Sequence, residues 1–187
     1  MNDTFLPPVQ KPDNLIMKMV FYFTRKQFGK VLAPLSVHAA RLPNAFGMFY
    51  GKVSQLDKKL ILKAETALLV RQQVARVNIC LFCIDMSRWA ALKAKFSEAK
   101  LDALDNYVSS TLFTTAEKAA LDYATELTRN KTVNPETFKR LAAHYNEREI
   151  CEIVWLVASE HLYNMTNIGL NIHSEMICDI YKKKMSK

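Results

Sequence analysis

Helical periodicity runs through almost the whole chain, and strand alternation is almost absent. Apolar residues recur three and four positions apart, as one face of an α-helix requires and a pleated strand does not. The 187 residues include only four glycines. A doubly wound nucleotide-binding fold or a hairpin-rich barrel needs more tight turns than that. Neither G-x-G-x-x-G nor G-x-x-x-x-G-K occurs. The length suits one domain with a real core, is short for two, and excludes a full (β/α)₈ barrel. Half of the residues are hydrophobic and 24% are charged, which argues against wholesale disorder. The expectation is an all-α, single-domain bundle.

Caps and prolines divide the periodic stretches. Asp13 is placed to cap a helix to residue 28, with Leu15, Ile16, Met19, Val20 and Phe23 on one face. Short helices are expected over 35–41 and 43–53. Asp57 is placed to cap a long helix to residue 76, Asn78 interrupts it, and a second helix spans 80–96. A short helix is expected over 101–109. Thr114 and Glu117 form a capping box for a helix to 129. Asn134-Pro135 opens another to 144. Asn146 and Glu149 open the core helix, 150–163, with Ile150, Ile153, Val154 and Val157 inward. A last helix covers 172–181. The expected division is a basic amphipathic segment, 1–30, packed on the domain or on a neighbouring subunit, followed by one helical domain, 31–187.

The formal charge is +8 and lies at the ends. Residues 1–60 hold nine Lys/Arg against three acids, and 182–187 hold four lysines. The stretch between them has thirteen basic and fifteen acidic residues. Basic ends attract anionic surfaces, but they are also what solvated helix faces look like. No aromatics interleave with the terminal lysines and no nucleic-acid motif occurs, so no nucleic-acid partner is expected. The apolar run 15–23 is too short to span a bilayer and contains Lys18. Residues 1–12 lack the pattern of a secretion signal. A cytoplasmic protein without stable membrane insertion is expected.

Of the four cysteines, Cys151 and Cys178 lie singly in apolar helical contexts, where a thiol acts as a small hydrophobe. Cys80-Leu-Phe-Cys83 is different. Two thiols one turn apart at a helix start are within bridging reach, and with Asn78 as cap the unpaired first-turn amides favour a thiolate at Cys80. A second cysteine three residues on is placed to resolve a sulfenic acid into a disulfide. Zinc needs further ligands, and His38, His144, His161 and His173 are scattered. A thioredoxin-like centre needs a preceding strand, whereas 64–76 reads as helix. Two inert core thiols remain the plain alternative. No metal, flavin or nucleotide cofactor is indicated.

The run 69–85, with Asn78, Cys80, Cys83 and Asp85, resembles the alkylhydroperoxidase D-like branch of the carboxymuconolactone decarboxylase family. That branch shows a helix, an Asn-Gly-Cys-x-x-Cys turn and a second helix. The stretch 114–128 (Glu117, Leu121, Ala124, Leu127), the stretches 138–141 and 147–157, and the Asn164-x-x-Asn167 region are similar as well. The likeness covers roughly 30–175 and is specific around the cysteine pair.

The resemblance implies an alkylhydroperoxidase D-like helical bundle assembled as a homo-oligomer, a trimer or hexamer. It also implies a hydroperoxide substrate and an external thiol reductant. Carried over, Cys83 attacks the peroxide and Cys80 resolves, whereas the helix-start argument favours Cys80 as thiolate; both assignments stand at this point. The cysteine pair argues against a ring-opening decarboxylase. Two positions depart from the pattern. The histidine four residues after the second cysteine is Ser87 here, and the glutamate twelve before the first is Leu68.

Candidate substitutes for these proton-relay groups are Glu65, Asp85 and His161, with Ser87 able to donate to a thiolate but not to act as a base near neutral pH. Each has a plain reading: a solvated charge for Glu65, a helix-dipole partner for Asp85, a hydrogen-bonded core histidine for His161 and a packing hydroxyl for Ser87. Phe82 and Trp89 flank the motif as pocket or core. The reading is a C-x-x-C hydroperoxide reductase; the alternative is a helical oligomeric scaffold that binds a small ligand and has lost the chemistry.

Overall fold

The computed structural model describes residues 4–185. Residues 1–3, from the expected N-terminal segment, and 186–187, from the terminal lysine run, lie outside the described residues. Among the described residues the secondary structure is helical throughout, without a strand.

Helix α1 (Leu15–Phe28) is capped by Asn14, whose side chain accepts from the Met17 amide, one residue later than expected. Gly29, in the left-handed region, closes it. Packing inverts the expected face. Met17 and Phe21 are buried in a cluster with Ala39, whereas Leu15, Ile16, Met19 and Phe23 are more than half exposed. The helix is apolar on several sides, so periodicity alone does not select the side that packs.

Next come a π-helical turn, Pro34–Ala39, and α2 (Pro43–Ala45), which runs through a second π-helical turn, Phe46–Tyr50, into α3 (Gly51–Asp57). Ordinary short helices were expected here, and π turns concentrate at functional sites. Asp57 ends α3 instead of opening the next helix. A turn intervenes, and α4 (Ala64–Val77) starts after Lys63. The turn is held from a distance, because the buried Glu152 carboxylate accepts from the amides of Ile61 and Leu62, at 2.9 Å each, and from Arg148 Nε at 2.8 Å.

The chain continues through α5 (Leu81–Lys93), α6 (Glu98–Asp102) with a 3-10 turn at Ala103–Asn106, α7 (Thr115–Asn130), α8 (Pro135–Ala142), α9 (Glu147–Gly169) and α10 (Ile177–Met185). Both expected capping boxes, Thr114/Glu117 and Asn146/Glu149, are formed. Helix α4 sits centrally and packs on α5, α7 and α9. Val70 and Val74 meet Ala120, Ala124, Ile153, Leu156 and Val157 in the main core. Val154, expected inward, is 38% exposed. Helix α10 starts five residues later than expected and packs on α5 and α1, and its Lys182 pairs with Glu98 at the start of α6. Among the described residues no helix is long and apolar enough to cross a membrane.

Candidate active site

The turn between α4 and α5 builds the cysteine pair. Asn78 closes α4 and Cys80 itself is the cap of α5, so Cys83 occupies the first turn that the sequence assigned to Cys80. Between them Ile79 adopts φ +58°, a left-handed conformation that is costly for a β-branched side chain. That residue swings the chain so that Cys80 and Cys83, with Cα atoms 5.3 Å apart, meet in a disulfide. Both cysteines are buried and packed on Ala75, Ile84 and Tyr163. Cys178 is also buried, whereas Cys151 is exposed, contrary to the core role expected for it.

Beside the pair lies a cavity of about 570 Å³. Cys83 lines it and Cys80 does not. Its walls come from both π-helical turns, α3, α4, α5 and α9. Leu32, Leu35, Phe46, Leu68, Phe82 and Met86 supply apolar surface. Asn167 on α9 donates from Nδ2 to Cys83 Sγ at 3.3 Å, and its buried Oδ1 has no partner. An amide donor at the sulfur favours charge there, and the free acceptor beside it suits a hydroxyl or hydroperoxyl proton.

A polar cluster shares the cavity. Arg71 on α4 pairs with Glu160 on α9 (Nη1 to Oε2, 3.1 Å) and with Asp57 (Nη2 to Oδ2, 2.6 Å). Asp57 also accepts from Trp155 Nε1 at 3.1 Å, and Glu160 Oε1 accepts from Asn164 Nδ2 at 2.8 Å. Burial pushes the Glu160 carboxyl above its ordinary value, against the opposing pull of Arg71. Raising a carboxyl by burial moves it toward the range in which such a group can act as a general acid. Burial pushes the Tyr163 phenol up to about 12, so it remains a donor. His38, on the first π-helical turn, also lines the cavity, and burial lowers its pKa, which keeps the imidazole neutral.

The sequence-derived candidates divide. Cys83 and Ser87 face the cavity. The Ser87 hydroxyl bonds the Gln72 side chain and the Cys83 carbonyl (2.8 Å), so it braces α5 against α4. Asp85 points away and accepts from the amides of Ile177 (2.8 Å) and Cys178 (3.0 Å) and from Ser174 Oγ (2.9 Å), fastening the start of α10. Glu65 lies outside the cavity, where Lys100 bridges it to Glu117. His161 is also outside the lining. It meets Asn78 at 3.3 Å, and burial, then Lys131, lowers its pKa. Trp89 packs with Phe28 in a separate small hollow.

Sequence reasoning passed over Glu160, Arg71, Asp57 and His38. One signal was available: Glu160, Asn164 and Asn167 put polar groups at i, i+4 and i+7 on the buried face of α9. Among the described residues no cluster of His, Cys, Asp and Glu is placed to hold a metal.

The helical fold that carries this turn recurs in solved structures. The debrominase Bmp8 superposes over 95% of this chain and 98% of its own, with a TM-score of 0.76 at 21% identity. A putative antioxidant defence protein AhpD from Agrobacterium tumefaciens, itself of unknown function, covers 74% of this chain and 95% of its own, with a TM-score of 0.69 at 21% identity. A peroxidase-related protein from Ralstonia eutropha, described as an alkylhydroperoxidase AhpD core, matches at a TM-score of 0.70 and 19% identity over 92% of both chains. The chain has the alkylhydroperoxidase D-like fold. The sequence likeness is to uncharacterized proteins. Escherichia coli YnjA is 29% identical over 181 residues, 96% of this chain and 98% of its own, and Bacillus subtilis YdfG is 27% identical over 120 residues, 63% and 82%. No family model matches the chain. Leu68, where the resemblance implies an acid, is an apolar wall residue, and the buried carboxyl in the cavity comes from Glu160 on α9.

Proposed function

We propose that the chain is a thiol-dependent hydroperoxide reductase in which Cys83 is the nucleophile, Cys80 resolves and Glu160 donates the proton. The observation that carries this reading is that Cys83 alone of the bridged pair opens on the cavity, with Asn167 on its sulfur and a buried carboxyl in the same walls. In the reduced protein the Cys83 thiolate attacks the outer oxygen of R–O–OH. The O–O bond breaks, and its electron pair leaves on R–O, which takes the Glu160 proton and departs as an alcohol. Cys83 is then a sulfenic acid. The Cys80 thiol attacks that sulfur, the S–O bond breaks, and the hydroxyl leaves as water with the Cys80 proton. An external dithiol reduces the resulting disulfide, and Glu160 regains a proton from the Cys83 thiol. Such recycling fits a reducing compartment such as the cytoplasm.

The test is mass spectrometry of the reduced protein after brief exposure to one equivalent of an organic hydroperoxide. The expected result is loss of two hydrogens mapped to Cys80–Cys83. Cys83→Ser gives no reaction, and Cys80→Ser stops at a trappable sulfenic acid. Glu160→Gln slows the step by about 10²–10⁴-fold. Untouched thiols in the wild type would refute the reading and leave the ligand-binding scaffold.

One comparison favours a second reading. The debrominase superposes over nearly the whole chain, and a Cys→Ala variant of it binds 2,3,4-tribromopyrrole. The same dithiol can convert C–Br to C–H, giving a disulfide and HBr. Bromide release from tribromopyrrole without peroxide turnover would replace the first reading by this one.

A further inference from the structure

The cavity has a wall made of rings. Phe46 stacks on Tyr50, with centroids 5.5 Å apart and planes at 30°. Tyr50 tilts against Tyr163 at 5.1 Å and 42°. The Arg71 guanidinium lies 5.9 Å from the Tyr163 centroid. All four groups line the cavity. The wall is continuous from the second π-helical turn to α9, and it ends at the reactive sulfur: Tyr163 packs on the Cys80–Cys83 cluster, and Asn167, one turn further along α9, holds Cys83 Sγ. Phe82, next to Cys83 in sequence, adds a ring from α5.

Size and chemistry select what fits. A cavity of about 570 Å³ is in the range of sites for organic ligands, whereas a molecule of water takes up ~30 Å³ and hydrogen peroxide not much more. Apolar volume alone is indifferent to whether a ligand is alkyl or aryl. Rings are not, because their quadrupoles favour stacked and edge-to-face partners at 4.5–7 Å beyond what burial supplies. The two tyrosines are only partly buried and both line the cavity, so the surface they share there is open to a ligand.

We propose that the substrate carries an aromatic ring, seated against the Phe46–Tyr50–Tyr163 wall with its reacting atom at Cys83. This rests on the Cys83 reading for the chemistry but not for the binding. The test uses the oxidised full-length protein and two unreactive alcohols of nearly equal shape, 2-phenyl-2-propanol and 2-cyclohexyl-2-propanol, titrated by protein-observed NMR. The phenyl alcohol is expected to bind about 3–10-fold tighter, although the cyclohexyl one is the more apolar. Tyr163→Leu, and separately Tyr50→Leu should the first not fold, brings the ratio close to one. Equal or tighter binding of the cyclohexyl alcohol, no binding of either, or a ratio unchanged in the folded variants would overturn the proposal. Aryl preference in a protein that turns over no hydroperoxide keeps the ring site and removes the peroxidase reading. Turnover of tert-butyl hydroperoxide without aryl preference does the reverse.

Discussion

Replacing Asp85 by asparagine separates a reactive from a structural acid next to the cysteine pair. The Asp85 carboxylate is 8% exposed and accepts three hydrogen bonds, two of them from amides at the start of α10. Asparagine keeps one acceptor oxygen and turns an N–H₂ group toward donors. At least one charge-assisted bond is lost, along with the charge at the start of α10, which sums to about 2–4 kcal/mol. For a domain of this length, each kcal/mol shifts the melting temperature by roughly 2–4 °C, so the drop expected by circular dichroism is ~5–15 °C. Below that melt, the rate at which reduced Cys83 is alkylated stays as in the wild type. A normal melt with lost thiol chemistry would return Asp85 to the reactive centre. A normal melt with normal chemistry would refute the three-bond argument itself.

Ile79→Gly relieves a left-handed β-branched residue and is expected to raise stability by about 1 kcal/mol after glycine's entropic cost, read by urea denaturation. Burial opposes ionisation of Glu152, but Arg148 and the amides of Leu62 and Ile61 outweigh it and hold its carboxyl below the ordinary value. A depressed folded-state pKa contributes stability that is complete above the unfolded value and lost as pH falls through the folded one. Stability is therefore expected to fall as the pH drops below ~5, and Glu152→Gln should flatten that part of the profile while lowering stability at pH 7. Asn167→Leu removes the amide donor at Cys83 and is expected to slow alkylation of the reduced thiol at neutral pH; an unchanged rate would show that the bond does not stabilise charge on the sulfur. Leu156→Ala, at the centre of the main core, should cost about 2–5 kcal/mol in the same denaturation assay.

The sequence alone determined the features written at short range. Helical class followed from apolar spacing, and both capping boxes were legible because Thr114 with Glu117 and Asn146 with Glu149 meet within one turn. The Cys80–Cys83 pairing was legible for the same reason: three residues at a helix start hold two thiols together whatever the rest of the chain does. Tertiary structure decided the rest. Arg71 and Glu160 are 89 positions apart, and only the packing of α4 on α9 makes them partners. The inward side of α1, the π-helical walls and the duty of Asp85 at α10 were likewise set by what each element met. Spacing of three and four fixes which residues share a helix face, because backbone geometry is local. It does not fix which face finds a partner, because that depends on burial summed over helices far apart in the chain.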